Sequence, residues 1–106
     1  MAQVFDTPIK TNDQSVDRVL AAGLPVALVF IEGPASADLE RAMERLADKN
    51  AGHLLVAQVQ VRDNPETKRR YGITSPPAVV TVRDAQERSK AQGVSAADLE
   101  AHVEYL

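Results

Sequence analysis

The fold of this chain is decided by the stretch PVALVFIEGPAS, residues 25–36. Six consecutive apolar residues, Val26 to Ile31, predict a strand that is buried on both faces of a sheet. Gly33 and Pro34 then predict a sharp turn into a helix, with Gly33 as the cap and Pro34 at the first helical position. Open α/β folds bind their ligands beyond the carboxyl ends of such strands. Residues 32–36 are therefore the first place to look for a function, although they carry few reactive side chains.

The composition is that of an ordinary globular protein. The chain has 106 residues, of which 44% are hydrophobic and 25% are charged, so we expect one domain, 1–106, with a core that needs no disulfide. The net charge of −3 argues against nucleic acid or an anionic membrane as a partner. No apolar run approaches the ~18 residues of a membrane span, and the first residues lack the features of a signal peptide. We therefore expect a cytoplasmic protein.

The sequence contains no cysteine. This absence excludes disulfides, thiol catalysis and thiolate metal sites. The two histidines, His53 and His102, have no second ligand nearby in the sequence. We therefore expect neither a metal site nor a cofactor.

Two elements are predicted before the central strand. Val4 to Ile9 reads as a short edge strand, because Pro8 is tolerated at an edge. Thr11 and Gln14 resemble a capping box. They predict a helix with Thr11 as its cap, and Gly23 predicts the end of that helix.

The elements after the central strand alternate at first and then form a hairpin. They are a helix from Pro34 to about Asn50, a strand from Leu54 to Val61, a helix from Asn64 to Tyr71 capped by Asn64, a strand from Ala78 to Val82, a polar edge strand from Glu87 to Gln92, and a last helix that Ser95 caps with Asp98 as its partner. The order β-α-β-α-β-α-β-β-α predicts an α/β fold with one mixed sheet of about five strands, flanked by about four helices.

The chain resembles the thioredoxin family over essentially its whole length. The matching features are the strand Pro25 to Phe30, Gly33-Pro34 at the middle of the family's Cys-Gly-Pro-Cys motif, the strand Leu54 to Val61, a signature made by Asn64-Pro65-Glu66-Thr67, Tyr71-Gly72-Ile73, Ser75 and Pro77, and then Gly93, Ser95 and Leu99. The resemblance implies a thioredoxin fold. It also implies that Pro77 follows a cis peptide bond.

The sequence departs from the family at the residues that carry out the family's redox chemistry. The corresponding segment is a degenerate active-site turn made of Glu32, Gly33, Pro34, Ala35 and Ser36. The redox cysteines fall on Glu32 and Ala35 or, one residue along, on Gly33 and Ser36, and neither register has a thiol. Thiol–disulfide exchange requires a thiolate. We therefore expect a protein that is redox-inactive and is not an enzyme of this class.

Other family features are also replaced. The buried Asp and the nearby Lys that the family keeps behind its cysteines are Val29 and Gln58 here. The residue before the cis-proline pairs with substrate in the family, whereas Pro76 has no N–H to donate. We expect Gln58 and Gln60 to bond to the backbone.

The resemblance brings six residues together around the family's substrate groove, and they form the predicted binding site: Ile31, Pro34, Pro76, Pro77, Gly93 and Val94. Apolar atoms around a rigid turn favour binding of a protein or peptide, as in chaperone or adaptor-type members. In one alternative, Ile31 packs inward and the groove is unused; in another, the same patch forms a homodimer. A third alternative, a hydrolytic enzyme using Glu32 or Ser36, is disfavoured because the site-forming segments contain no histidine.

Overall fold

The computed structural model describes residues 7–104. Within them lies a five-stranded mixed sheet in the order β1-β3-β2-β4-β5. The elements in chain order are β1 (Ile9–Thr11), α1 (Val16–Leu20), β2 (Val26–Ile31), α2 (Ala37–Lys49), β3 (Leu55–Gln60), α3 (Pro65–Arg70), β4 (Ala78–Arg83), β5 (Gln86–Gln92) and α4 (Ala96–Glu104). The predicted α/β class, strand number and element order are confirmed.

Strand β2 is the centre of the sheet, as its apolar run predicts. It runs parallel to β3 and antiparallel to β4, and all six of its residues are buried. Because successive side chains alternate between faces, Leu28 and Phe30 lie in the core cluster that includes residues of α1. Val29 and Ile31 lie in the other core cluster, which is covered by α2 and α4. The strand is therefore apolar throughout because it has no solvent-facing side.

The edge strand β1 occupies Ile9–Thr11 and pairs in parallel with β3. The predicted strand, Val4 to Ile9, overlaps it at one residue only. Thr7 and Pro8 precede β1 outside any strand, and residues 4–6 lie outside the described part of the chain.

Helix α1 begins after Ser15, so the prediction of Thr11 as its cap is wrong. Thr11 ends β1, and its Oγ1 lies 2.8 Å from Ser15 Oγ. The Asn12 Oδ1 accepts hydrogen bonds from the N–H of Gln14 at 3.0 Å and of Ser15 at 2.9 Å. An asparagine that bonds to the backbone in this way favours a turn over a helix. This turn delays the helix to Val16.

Helix α2 has the predicted apolar face but begins at Ala37, not at Pro34. Its cap is Ser36, whose Oγ accepts a hydrogen bond from the Leu39 N–H at 3.1 Å. Gly33, predicted as the cap, has a φ of +73° and lies in the turn before the helix. A serine can satisfy one of the free N–H groups of the first turn, whereas a glycine has no side chain with which to do so.

Helix α3 is capped from a distant segment. Asn64 precedes it, but the Asn64 side chain does not cap the helix; its Oδ1 instead accepts the Asp13 N–H at 3.0 Å. The Asp13 carboxylate accepts the Thr67 N–H at 2.8 Å, the Thr67 hydroxyl at 2.6 Å and the Glu66 N–H at 3.3 Å. The hydrogen bond from the Thr67 hydroxyl is the main cause that lowers the pKa of Asp13.

Helix α4 begins as predicted. Ser95 Oγ accepts the Asp98 N–H at 3.1 Å, and Asp98 Oδ2 accepts the Ser95 N–H at 3.3 Å, which is the reciprocal pattern of a capping box. Leu99 and Val103 are buried, and His102 is half-buried. Leu106, also predicted to face inward, lies outside the described residues.

Candidate functional site

The turn after β2 and the loop before β4 meet at one edge of the sheet. Ile31 ends β2 and is the register partner of Gln60, which ends β3. Phe30 pairs with Ala78, the first residue of β4. Pro77 therefore lies at the register position beside Ile31. The topology brings together the two segments, residues 32–36 and 72–77, that the sequence singles out.

The turn is held by the side-chain amide of Gln60. The Gly33 N–H donates to Gln60 Oε1 at 2.8 Å, and Gln60 Nε2 donates to the Gly33 carbonyl at 2.9 Å. Both polar backbone groups of Gly33 are thereby satisfied by one side chain. A Cβ at Gly33 would lie 3.6 Å from the Arg62 guanidinium, which is an ordinary contact. It is therefore the positive φ, and not a lack of space, that favours glycine here.

The loop before β4 is held by a second glutamine. Gln92 Oε1 accepts the Thr74 N–H at 2.7 Å and the Ser75 N–H at 2.9 Å. The peptide bond between Pro76 and Pro77 is cis, the geometry that the family resemblance implies. The sequence reasoning missed Gln92, which looks like one more polar residue of an edge strand. Its position directly before a glycine at the end of β5 is the only signal that the sequence offers.

Backbone donors in this loop are all used within the protein. The N–H groups of residues 72–75 donate to Arg69 O, Lys68 O and the Gln92 amide oxygen, and Pro76 and Pro77 have no N–H. A ligand strand can therefore receive no backbone hydrogen bond from residues 72–77. Towards a ligand strand, the backbone of this loop can therefore only accept hydrogen bonds, whereas the family resemblance implies pairing through both a donor and an acceptor.

The six predicted groove residues divide into two groups. Ile31 and Val94 are only 3% and 8% exposed and belong to the core cluster under α2 and α4. As lining residues of an open groove they were predicted wrongly, because Ile31 falls on the face of β2 that the helices cover. Pro34 and Gly93 are exposed, while Pro76 and Pro77 are half-buried. We call the surface of these last four residues the proline edge.

Uncharged residues stand at the two sheet positions that correspond to the family's buried Asp and nearby Lys. Val29 is fully buried and is the register partner of Gln58, so the two replacements are neighbours. Ser36 Oγ caps α2. Neither histidine lies at this edge: His53 precedes β3 at the other end of the sheet, and the His102 Nε2 lies 2.9 Å from Ser89 Oγ.

Metal and membrane sites are not found in the described part of the chain. Among the side chains described, no three of His, Asp or Glu form a group that could hold a metal ion. None of the helices within residues 7–104 is long and apolar enough to cross a membrane.

Comparison with known proteins identifies two thioredoxins that are similar to this chain. No protein-family model matches the sequence. The chain is 30% identical to a thioredoxin of Thiocapsa roseopersicina over 79 residues, which cover 72% of this chain and 86% of that protein. Its structure is similar to that of a mutant thioredoxin from Halobacterium salinarum NRC-1, with a TM-score of 0.83, 21% identity, and coverage of 99% of this chain and 95% of the other. With no cysteine it cannot catalyse thiol–disulfide exchange, yet by sequence and fold the chain belongs to the thioredoxin family.

Proposed function

We propose that this protein is a redox-inactive binding module that docks a segment of a partner protein at the proline edge. The observation that carries the proposal is the pair of glutamine clamps. Gln60 holds the turn and Gln92 holds the loop, through five hydrogen bonds of 2.7–3.2 Å. These bonds order both segments, although neither segment carries a thiol. A surface that is already ordered costs less conformational entropy to bind, which favours recognition.

The polarity of the loop defines what the partner segment offers. Because residues 72–77 donate no backbone hydrogen bond outward, and the Ser75 and Pro77 carbonyls accept the Gly93 and Val94 N–H groups, the partner supplies an N–H group and the proline edge supplies the Pro76 carbonyl oxygen. Pro34, Pro76 and Pro77 present rigid apolar surface beside that carbonyl. The proposed occupant is therefore an extended peptide segment with small apolar side chains, which it lays across the prolines.

The experiment that tests this function uses site-specific photo-crosslinking in cells of the native host. A benzophenone amino acid replaces Pro34, and in the control it replaces Glu44, which is exposed on α2 away from the edge. Mass spectrometry identifies the crosslinked peptide, which is then synthesised and titrated against the labelled protein by NMR. We expect saturable shifts confined to residues around the proline edge.

Two variants then test the surface itself. Pro34→Asp places a carboxylate near the start of α2, where negative charge is tolerated, so the fold is retained while the apolar contact is lost. Pro65→Asp makes the same change at an exposed proline that begins α3. We expect the first to weaken peptide binding about tenfold or more and the second to leave it unchanged. Equal effects of the two variants, or crosslinks from Pro34 to a second copy of this chain alone, would overturn the proposal; the latter result would instead favour self-association.

A further inference from the structure

A second surface lies at the opposite end of the sheet from the proline edge. It is an open cleft of about 970 Å³, bounded by the start of β2, the connection from α2 to β3, and the hairpin of β4 and β5. Its apolar surface is contributed by the half-buried Pro25, while Leu54 and Val103, each 7% exposed, form its floor as part of the core. This volume is within the range of small-molecule sites in proteins.

Cationic side chains from three separate elements line this cleft. They are Lys49 at the end of α2, Arg83 at the end of β4 and Arg88 on β5. One carboxylate, Asp84, lies among them. The whole chain carries a net charge of −3, so the positive lining departs from the charge of the rest of the protein.

An irregularity in β5 puts Arg88 on the wall of the cleft. Thr81 pairs with Ser89, but the next residue, Val82, pairs with Glu87. Arg88 is therefore the extra residue of a β-bulge. Bulges of this kind re-aim a side chain and are often found beside functional sites. Here the bulge brings Arg88 to the cleft that Arg83, on the neighbouring strand, also lines.

The two arginines are available to a ligand. Both are exposed, and neither forms a salt bridge with any residue of the described part of the chain. Lys49 has a structural role of its own, because a cation stabilises the C-terminal end of a helix. The argument for a ligand therefore depends on Arg83 and Arg88, whose guanidinium groups match phosphate and carboxylate oxygens in geometry.

We propose that this cleft binds a small organic anion. A phosphate or carboxylate group is held by Arg83 and Arg88, and an apolar body packs against Pro25. The site is independent of the proline edge, since it lies beyond the other ends of the same strands. It gives the protein a second ligand of a different chemical class.

The test is an NMR titration of the labelled full chain with three probes. Phenyl phosphate carries both features of the proposed ligand, inorganic phosphate carries only the charge, and benzyl alcohol carries only the apolar ring. We expect phenyl phosphate to shift the amides of cleft residues saturably at concentrations up to about 10 mM, and to bind more tightly than either partial probe. The two ligand sources, phosphomonoester and carboxylate, are distinguished by repeating the titration with benzoate.

Variants decide whether the arginines hold the anion. Arg83→Gln and Arg88→Gln should each weaken phenyl phosphate binding about fivefold, whereas Arg62→Gln, an exposed arginine at the other end of the sheet, should leave it unchanged. Thermal unfolding checks that all three variants are folded. Saturable binding that survives both cleft variants, equal binding of benzyl alcohol, or no saturable shift would each overturn the proposal.

Discussion

Replacing Gln60 with alanine removes both hydrogen bonds that hold the turn after β2. The Gly33 N–H and carbonyl lose their partners at 2.8 and 2.9 Å. A typical intramolecular hydrogen bond contributes about 0.5–1.5 kcal/mol net to stability, so the loss of two predicts about 1–3 kcal/mol. For a domain of this size each 1 kcal/mol corresponds to a change of about 4 °C in the melting temperature. We therefore expect a decrease of about 4–12 °C.

Gln58→Ala is the matched control for this variant. Gln58 is also a half-buried glutamine of β3, but its amide makes no hydrogen bond to any described residue. The two substitutions remove the same atoms from the same strand, so losses of packing and of strand propensity are similar in both. The difference between the two free energies of unfolding then isolates the two bonds to Gly33.

Two measurements check the prediction. Urea unfolding followed by circular dichroism gives the free energies of unfolding, provided that the slope with denaturant is unchanged. Hydrogen exchange of the Gly33 amide reports the turn directly, because Gln60 is the hydrogen-bond partner of this N–H within residues 7–104. Stabilities of the two variants that agree within about 0.5 kcal/mol, together with unchanged exchange at Gly33, would refute the assignment of Gln60 as the clamp of the turn.

Three further predictions concern the caps and the turn. Gly33→Ala should destabilise by about 1–2 kcal/mol, because alanine is strained at a φ of +73°; a melting temperature equal to that of the parent would contradict this. Ser36→Ala should cost about 1 kcal/mol in urea unfolding and Ser36→Asp close to nothing, because only the alanine variant lacks an acceptor for the Leu39 N–H. Asp13→Asn should show a stability deficit at neutral pH that shrinks below the usual aspartate value of 3.8, because hydrogen bonds from Thr67 lower the pKa of Asp13 in the folded state and this contribution is lost as the carboxylate is protonated. A deficit that is constant from pH 7 to about pH 2 would show that the charge of Asp13 is not involved.

Much of the fold can be predicted because its signals are local. An unbroken run of six apolar residues has no polar side, so β2 must be buried on both faces. Ser95 and Asp98 are three residues apart, and a reciprocal cap needs nothing else. The same local reasoning is wrong at Thr11 and Asn64. The turn made by Asn12 competes with a helix start at Thr11, and the Asp13 carboxylate replaces the Asn64 side chain at the start of α3.

The candidate site is less predictable from the sequence, since it depends on which face each residue takes. Ile31 reads as a groove residue beside the turn, yet the alternation of β2 and the cover of α2 and α4 place it in the core at 3% exposure. The proline edge that remains is smaller than predicted. Its loop backbone can accept hydrogen bonds from a ligand but cannot donate them. The sequence does not predict this property, because the partners of the N–H groups of residues 72–75 are identified only in the folded chain.

The sequence by itself determines that this is a thioredoxin-family chain without a thiol, because the order of the elements and the absence of cysteine can be read along the chain. Only the tertiary structure determines which side chains hold the turn after β2, the loop before β4 and the start of α3. Gln60 and Gly33 are 27 residues apart, Gln92 and Ser75 are 17 apart, and Asp13 and Thr67 are 54 apart. The bulge at Arg88 likewise depends on its pairing with β4. No periodicity reveals such pairs, because only the packing of the sheet brings their polar groups within hydrogen-bonding distance.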